Sequence, residues 1–455
     1  MNTSFFGEML TSIAERGRAL LDRARARRGQ PAARSESLAD LCEELLSGRG
    51  EASGVALAGE ILAKYAELTT GPRIAFFETL ATRLGPDREA LEAAIAAWHS
   101  NPSDVAAAAI HHAAEPRRQE LFRRLNLAPG GTAALVRMRE QLIDALDHRG
   151  DLAPLDADFV HLFTSWFNRG FLVLRRIDWA TPAMILEKII RYEAVHRIKS
   201  WDDLRRRIDP PDRRCYAFFH PALLDEPLIF VEVALMREIP GAIAPILSVQ
   251  REAVAVDQAT TAVFYSISNC QRGLTGVSFG HFLIKQVVQE IIRENHGKRI
   301  FVTLSPVPDF VRWLGRERKS ESSVALSAAD RVALAGLDRQ GWWQLPEVRE
   351  PIREPLLRAA AWYFLRARNS RGLPVDAVAR FHLGNGARLE QIDWLADTSE
   401  RGIAQSHGLM VNYLYDLDDI EKNHEAYAEG HNVVAANAVK RLVRKAATEL
   451  VPVAS

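Results

Sequence analysis

The hydrophobic pattern is clearest over residues 261–314, where it predicts a strand, a glycine turn, an amphipathic helix and a second strand. β-Prone residues fill positions 262–268, as expected of a half-buried strand. From Leu283 to Ile292 the apolar residues recur at helical spacing, so a wide apolar face must pack on a core. The second strand is predicted at 299–304 and ends at a Ser-Pro turn.

Helical periodicity fills the first third of the chain. Residues 1–152 are rich in Ala, Leu, Arg and Glu, and Gly, Pro and Asn separate the periodic segments. We therefore predict an all-helical bundle over residues 1–152, which packs against the second domain or against another copy of the chain. No residue set in this bundle suggests chemistry. Helices are predicted at 38–46, 54–68, 72–84, 88–98, 117–125 and 131–146.

The pattern changes near Gly150, where aromatic and β-prone residues become frequent. Thr181 and Ser200 stand at helix-start positions, which predicts two helices between the first and second strands of this region. We predict a single mixed α and β domain over residues 153–455. Its other strands are predicted at 170–176, 214–219, 228–236 and 410–415, and its later helices at 354–368 and 431–450.

The order of these elements describes the acyl-CoA-binding core of acetyltransferase-like folds: strand, two helices, three strands, glycine turn, helix, strand. In such a core, splayed strands hold the pantetheine and the glycine turn holds the pyrophosphate. The predicted fold class is multidomain α and α+β, with a helical bundle followed by an acetyltransferase-like mixed-sheet domain that carries helical insertions. A fold of this kind does not fix the function.

Composition excludes several function classes. The 58 basic and 58 acidic residues give a formal net charge of zero, so no nucleic-acid surface is indicated. No apolar run approaches the roughly 18–20 residues of a membrane span. Three widely spaced cysteines, Cys42, Cys215 and Cys270, indicate a reducing compartment and no structural metal site. We read the first thirty residues as part of the mature protein and expect a cytoplasmic location.

Gly273 and Gly276 bracket the turn between the first strand and the helix. A glycine turn that enters a helix leaves amide N–H groups at the positive end of the helix dipole, where an anionic group can bind. The alternative is a plain connection between two elements of a sheet, because short glycine patterns also occur without a ligand. The residues alone leave both interpretations open.

Two candidates for chemistry stand beside sharp turns. Ser305 lies at the end of the second strand, ahead of Pro306, and the alternative is a turn serine that bonds its own backbone. No G-x-S-x-G elbow surrounds it, which argues against a hydrolase serine. His382 lies in a Phe-His-Leu-Gly-Asn-Gly-Ala segment that can approach a ligand closely, and imidazole suits proton transfer near neutral pH. Its alternative is a half-buried histidine beside a turn.

Five further polar residues are weaker candidates. His220 and His407 stand beside Pro or Gly, as His382 stands near glycines. Tyr265, Asn412 and Tyr413 could donate hydrogen bonds in a pocket, although residues of these types on strands also serve in the core or at its rim.

Four long blocks resemble the malonyl-CoA decarboxylase family: FYSISNCQRGLTGVSFGHFLIKQVV, TLSPVPDFVRWL, FHLGNGARLEQIDWLAD and SHGLMVNYLY. The resemblance runs in register over residues 170–427. It implies an acetyltransferase-like catalytic domain behind a helical oligomerisation domain, with a Ser/His pair that falls on Ser305 and His382. The malonyl-CoA loop of the family falls on Gln271, Arg272, Gly273, Leu274, Thr275, Gly276 and Val277.

The resemblance implies decarboxylation of malonyl-CoA to acetyl-CoA and carbon dioxide. No metal or organic cofactor is expected, because the thioester itself takes up the electrons. Ser305 would hold the substrate carboxylate, His382 would protonate C2, and Asn385 would support His382, with Arg272 as an extra cation for the pyrophosphate. The expected partners are malonyl-CoA and acetyl-CoA, with no nucleic acid and no membrane, in a homo-oligomer formed through the helical domain.

Two departures bear on this interpretation. The loop differs from the Q/R-x-x-G-x-G/A of typical acetyltransferases, because Gly273 stands at its first place and Ser278 at its last, which puts N-acetyltransfer in doubt. The chain ends in Val-Ala-Ser, so we expect no Ser-Lys-Leu peroxisomal address. Two alternatives stay open: a CoA-dependent acyltransferase of the same fold, and a non-catalytic CoA-responsive scaffold that works through its helical half.

Overall fold

The computed structural model describes residues 11–20, 37–47, 50–223, 225–277, 283–294 and 300–449. Predictions that fall on Ser278, on Arg299 and on Leu450 lie outside the described residues. The chain forms two compact units, and the domain boundary predicted between residues 152 and 153 stays a prediction. One unit holds the chain up to Val173, Phe219–Leu228 and the segment that begins at Gln271; the other holds Leu174–Phe218, Ile229–Cys270 and the described residues from Leu283 onward.

The first unit is a helical bundle, which confirms the prediction from periodicity. Ser37, Asp87 and Ser103 each accept a hydrogen bond from the backbone N–H three residues on, as helix N-caps do. In its core the rings of Phe122 and Phe159 stack with centroids 4.2 Å apart. Its helices are α1 Leu38–Leu46, α2 Glu51–Ala66, α3 Thr70–Arg83, α4 Arg88–Ser100, α5 Asp104–Ala114, α6 Arg117–Asn126, α7 Gly131–Leu146 and α8 Ala153–Trp166.

The second unit is built around a mixed sheet, which has eight strands within the described residues. The order is β1, β2, β3, β4, β5, β8, and β6 and β7 also pair with β8. The parallel β4–β5 pair in this sheet confirms the predicted acetyltransferase-like arrangement. The strands are β1 Val173–Ile177, β2 Arg213–Phe219, β3 Pro227–Met236, β4 Thr261–Asn269, β5 Ile300–Thr303, β6 Ser305–Pro306, β7 Arg388–Asp393 and β8 Met410–Tyr415.

Helices of this unit cover the sheet and supply the insertions. The predicted final helix begins six residues late, because His431 has a φ of 51° and ends the preceding helix in the left-handed conformation. No described helix is long and apolar enough to cross a membrane. The helices are α9 Ala183–Tyr192, α10 Trp201–Ile208, α11 Ala244–Leu247, α12 Leu283–Glu294, α13 Phe310–Lys319, α14 Ala328–Leu334, α15 Pro346–Leu365, α16 Ala377–Gly384, α17 Glu400–Ser406, α18 Ile420–Gly430 and α19 Asn437–Glu449.

The strands β4 and β5 pair only over their first four residues. Their last ladder pair is Phe264 opposite Thr303. Beyond it, β4 continues along β3 as far as Asn269, whereas the chain after β5, which already pairs with β8, continues along β8 and places Ser305 opposite Val411. Two parallel neighbours therefore part in the middle of the sheet, and this parting positions the site described next.

Candidate active site

A cavity of about 260 Å³ opens where β4 and β5 part. Ligand pockets usually measure about 300–1,000 Å³, so a cavity of this size suits an acyl group and its thioester rather than a whole coenzyme. Most of its wall is apolar. It is lined by Val195, Ile229, Val231, Phe264, Tyr265, Ile267, Asn269, Leu283, Ile284, Leu304, Ser305, Pro306, Ala377, Val378, Phe381 and His382.

The two candidate residues for chemistry meet in this wall. The Oγ atom of Ser305 lies 3.1 Å from Nε2 of His382. Ser305 is 5% exposed and His382 is 2% exposed, so the pair is screened from bulk water. The pairing of β6 with β8 fixes Ser305, which begins this short strand. The structure thus brings together two residues that are 77 positions apart in the chain.

His382 stands on a helix rather than in a turn. Asp376 caps the start of α16, since its Oδ1 accepts the N–H of Ala379 at 2.7 Å. The glycine-rich turn predicted from the sequence follows the helix, where Gly386 has a φ of 80°. A Cβ atom on Gly386 would lie 2.2 Å from the carbonyl oxygen of Ile420, so only glycine fits there. The turn therefore fixes the helix end that carries the imidazole.

Two hydroxyl groups extend the Ser/His pair. Nδ1 of His382 lies 2.8 Å from the hydroxyl of Tyr415, and Ser305 donates its hydroxyl to Oγ1 of Thr303 at 2.9 Å. The imidazole also stacks on Tyr413, with ring centroids 4.6 Å apart. The sequence analysis named Tyr413 but missed Tyr415 and Thr303. We call Tyr415, His382, Ser305 and Thr303 the hydroxyl–imidazole chain.

Burial sets the protonation states of the groups in the hydroxyl–imidazole chain. It lowers the pKa of His382 to about 3, so the imidazole is neutral near pH 7. It raises the pKa of Tyr415 well above its usual range, so the phenol keeps its proton and can donate to Nδ1. Nε2 then carries the ring proton and donates to Ser305, whose hydroxyl donates to Thr303. The hydroxyl–imidazole chain is therefore uncharged, and in the free site it uses both the Nε2–H of His382 and the hydroxyl hydrogen of Ser305 within itself.

The predicted phosphate loop contains a type II turn. Thr275 has φ −55° and ψ 131°, and Gly276 has a φ of 81°. The N–H of Val277 closes the turn on the carbonyl of Leu274 at 3.0 Å. Because a type II turn needs a positive φ at its third residue, glycine is required at position 276.

The first half of this loop is anchored within the helical unit. A Cβ atom on Gly273 would lie 2.0 Å from the carbonyl oxygen of Val136 on α7, so the backbones touch there. The side chain of Arg139 donates to the carbonyl of Gly273 at 2.8 Å. Arg272 forms an ion pair with Asp144. The loop is therefore part of the helical bundle by its contacts, although it follows β4 directly in the chain.

Two other predicted site residues make structural hydrogen bonds. The side chain of Asn385 donates to the carbonyl of Phe381 at 2.7 Å, so it secures the end of α16, the helix that carries His382. The side chain of Gln271 donates to the carbonyl of Pro227 at 3.1 Å. In the part of the chain that the structure describes, no three His, Cys, Asp or Glu side chains group closely enough to hold a metal ion.

The weaker candidates fall into two groups. Tyr265 lines the cavity, and Asn412 donates to the carbonyl of Thr303 at 2.9 Å, directly behind the Ser/His pair. His220 bonds the carbonyl of Trp166 instead, and the half-buried His407 lies edge-on to Trp342 with ring centroids 6.2 Å apart.

Comparison with known proteins covers both units. A family model described as "Malonyl-CoA decarboxylase C-terminal domain" matches residues 170–452, and one described as "Malonyl-CoA decarboxylase N-terminal domain" matches residues 84–167. The mitochondrial malonyl-CoA decarboxylase of Anser anser anser is 37% identical over 352 residues, which cover 72% of this chain and 69% of that protein. The protein of that name from Rattus norvegicus is 36% identical over 358 residues, or 73% and 72% of the two chains.

Solved structures agree with this assignment. The crystal structure of malonyl-CoA decarboxylase from Rhodopseudomonas palustris is 58% identical, with a TM-score of 0.86 over 89% of this chain and 98% of that one. The corresponding structure from Agrobacterium vitis is 56% identical, with a TM-score of 0.85 over 89% and 99%. On the family model, the identity and the shared fold together, this chain belongs to the malonyl-CoA decarboxylase family and is a carboxy-lyase.

Proposed function

We propose that the chain decarboxylates malonyl-CoA to acetyl-CoA and carbon dioxide in the cavity between β4 and β5, with Ser305 and His382 as the working pair. The observation that carries this proposal is the buried hydroxyl–imidazole chain, with a hydrogen bond of 3.1 Å between the two residues at the cavity wall. Membership of the family supplies the substrate, and the chain of hydrogen bonds supplies a way to orient it and to protonate the product.

The reaction needs an electron sink and a proton. When the bond between C2 and the carboxylate breaks, carbon dioxide leaves and the electron pair forms an enolate whose charge rests on the thioester oxygen. A proton must then reach C2, so each turnover consumes one proton. The thioester is its own electron sink, and the residues have only to orient the carboxylate, stabilise the enolate and deliver the proton.

Ser305 is assigned to the substrate carboxylate. Its hydroxyl can turn from Oγ1 of Thr303, 2.9 Å away, toward a carboxylate oxygen in the cavity. A hydrogen bond to a charged group contributes about 1.5–3 kcal/mol, more than the bond to a neutral hydroxyl that it replaces. This contact would hold the carboxylate out of the thioester plane, the geometry in which the breaking bond overlaps the carbonyl π system.

His382 is assigned to the proton transfer. In the free site burial keeps the imidazole neutral, and the arriving negative carboxylate favours the protonated form, so substrate binding and proton uptake go together. The imidazolium then gives its Nε2 proton to C2, which leaves a neutral ring with its remaining proton on Nδ1. The resting tautomer returns when Nε2 takes up one proton and Nδ1 releases one. Tyr415 suits this cycle because its hydroxyl can donate to Nδ1 when the ring is neutral and accept from Nδ1–H when the ring is charged.

The malonyl-CoA loop is assigned to the pyrophosphate. The N–H groups of Leu274, Thr275 and Val277 donate to carbonyls within the loop, so we assign the anion contact to the N–H of Gly276. Arg272 can add a charge, because its side chain is 50% exposed and an exposed ion pair such as that with Asp144 contributes only about 0–1 kcal/mol.

Turnover of malonyl-CoA by single variants tests the pair. We expect His382→Ala to lower kcat about 10²–10⁴-fold, the usual contribution of a positioned acid or base. Ser305→Ala should lower it by a smaller factor. His407→Asn is the matched control, because partial burial also lowers the pKa of His407, to about 4, whereas His407 lies outside the cavity wall. Acetyl-CoA and carbon dioxide are measured together.

Three results would contradict the proposal. Unchanged rates in folded Ser305→Ala and His382→Ala proteins would remove the role of the pair. Free CoA that appears only when an amine acceptor is added would indicate an acyltransferase, and calorimetric binding of malonyl-CoA without release of carbon dioxide would indicate a scaffold.

Homo-oligomerisation through the helical bundle and a cytoplasmic location stay proposals. Analytical ultracentrifugation tests the first of them.

A further inference from the structure

The segment of residues 193–197, between α9 and α10, forms part of the cavity wall without regular secondary structure. Val195 lines the same cavity as Ser305 and His382. An irregular backbone next to a buried site must find a partner for each polar group that is cut off from water. The partners are the side chain of Glu193 within the segment and side chains from three other elements, β4, α10 and α17.

One carboxylate takes up the N–H groups of the segment. Oε1 of Glu193 accepts the N–H of Val195 at 2.9 Å and the N–H of His196 at 2.6 Å. The N–H of Ala194 donates to Oγ of Ser268 at 3.2 Å. Three successive amides therefore have partners, two of them on a single side chain.

Two arginines take up the carbonyl groups. Arg207 on α10 donates to the carbonyl of His196 at 2.7 Å and to that of Arg197 at 3.2 Å. Arg401 on α17 donates to the carbonyl of Ala194 and, at 3.4 Å, to the next carbonyl along. The backbone is thus held by charged groups from both sides.

Glu193 also ties the segment to β4 beyond the point where β4 leaves β5. Both of its carboxylate oxygens lie 2.8 Å from the hydroxyl of Ser266, which donates to them. Oε2 also accepts the hydroxyl of Ser268 at 3.1 Å. Glu193 is only 8% exposed, so these bonds form away from bulk water. A single carboxylate therefore joins the strand that opens the cavity to the segment that walls it.

We propose that Glu193 is a positioning residue of the active site, and that the 193–197 segment is a fixed wall that limits the room for a substituent on C2 of the acyl group. The proposal rests on the proposed decarboxylation. With a volume of about 260 Å³ the cavity brings all of its lining side chains, Val195 included, close to the acyl end of the substrate. Releasing Glu193 frees Val195 to move away and widens the cavity.

The test compares malonyl-CoA with methylmalonyl-CoA as substrates. Pockets discriminate one methyl group by about 10–200-fold, so Glu193→Ala should raise the ratio of kcat/KM for methylmalonyl-CoA to that for malonyl-CoA about tenfold. It should also raise KM for malonyl-CoA more than it lowers kcat, because the chemical groups stay in place. Glu193→Gln should recover most of the wild-type ratio, since its amide oxygen can still accept both N–H groups.

A control and a milder variant keep the result decisive. Glu187→Ala removes a carboxylate whose side chain is 63% exposed from α9, the helix that precedes Glu193, and it should leave the ratio unchanged. If Glu193→Ala does not fold, Ser268→Ala removes one hydroxyl that bonds both Ala194 and Glu193, and it should shift the ratio in the same direction.

The outcomes separate this inference from the proposed function. A Glu193→Ala protein that loses thermal stability but keeps the wild-type substrate ratio would contradict the proposed role of the 193–197 segment. Inactivity of His382→Ala would still support the decarboxylation mechanism in that case. A fully active His382→Ala protein would overturn the mechanism whatever Glu193→Ala does.

Discussion

Two parts of the cavity wall differ in the charge of the groups that hold them. The hydroxyl–imidazole chain at His382 consists of uncharged groups, each bonded to one or two neighbours. The 193–197 segment is held by full charges, those of Glu193, Arg207 and Arg401, each of which makes two or more bonds. In the proposed mechanism, the groups that change their protonation or turn a hydroxyl are neutral, whereas the groups that only hold the backbone are charged.

The charged groups that hold the 193–197 segment extend to a fully buried carboxyl group, that of Glu232. Arg207 also meets Glu232, with an N–O distance of 3.3 Å, and Glu232 is fully buried. Burial raises the pKa of Glu232 to about 8, the charge of Glu193 adds to this rise, and Arg207 opposes it. Arg207 also pairs with Asp203 at 3.4 Å, so two carboxyl groups, those of Glu232 and Asp203, share one guanidinium, and Arg207 is the residue on which the charged part depends.

Removing that guanidinium should have the largest effect. We expect Arg207→Ala to lower the free energy of unfolding by about 3–5 kcal/mol, the usual loss when one partner of a buried ion pair is removed. The loss should grow as the pH rises through about 8. The carboxyl of Glu232, whose folded-state pKa is raised, stabilises the fold while it is protonated and loses that contribution when it ionises. In the Arg207→Ala variant it ionises without the guanidinium beside it. Urea unfolding at pH 6 and pH 9 measures both effects.

Arg206→Ala is the matched control for this prediction. Arg206 precedes Arg207 on α10, its side chain is 40% exposed, and it pairs with Asp203 at 3.5 Å. Exposed substitutions usually change stability by about 0.5 kcal/mol or less. Equal losses of unfolding free energy in Arg207→Ala and Arg206→Ala would show that the buried guanidinium stabilises the fold no more than an exposed one.

Tyr415→Phe should have a smaller effect, confined to the chemistry. It removes the hydroxyl that bonds Nδ1 and so leaves the ring free to place its proton on the wrong nitrogen. A net hydrogen bond contributes about 0.5–1.5 kcal/mol, so kcat should fall about 3–10-fold with KM unchanged. Tyr216→Phe, which removes another buried hydroxyl bonded to Glu294 at 2.8 Å, should leave kcat as it is. A change in KM alone would contradict the assigned role of Tyr415.

The pH dependence of stability should give the smallest effect. Folded His382 stays neutral down to about pH 3, whereas its unfolded imidazole takes up a proton near pH 6.5, so the unfolded state binds more protons as the pH falls below that value. Wild type should therefore lose about 1 kcal/mol relative to His382→Gln between pH 6.5 and pH 5.5. An equal change of unfolding free energy in wild type and His382→Gln between the two pH values would contradict the lowered pKa of His382.

Elements were easier to predict than contacts. β8 has the predicted limits, although its burial does not alternate, since every residue of Met410–Tyr415 except Leu414 is buried. The bond between Tyr415 and His382 was missed, since it depends on the register that sets Tyr415 opposite Phe301, and no local pattern specifies a register between distant strands. β7 was also missed, because its alternation of charged and apolar residues becomes a strand only by pairing with β8.

The site residues show the same limit. Local sequence left Ser305 open as a turn serine and His382 as a half-buried histidine, and only the resemblance paired them. Glu193 carries no local signal of its role, since the serines that donate to it lie 73 and 75 residues away. The glycines were predictable where a turn needs a positive φ, as at Gly276, whereas the close approach of Gly273 to Val136 depends on tertiary packing.

The parting of β4 from β5 gives the sheet an internal edge. Strand edges are usually hazards, because their open N–H and C=O groups recruit strands of other molecules and start aggregation. Here the edge begins after Phe264 and is flanked by β3 on one side and by the strand that continues to β8 on the other. Residues on both sides of the gap, Ile267 and Ser305 among them, line the cavity, so this edge of β4 borders a small enclosed space of the same chain and not the strand of another molecule.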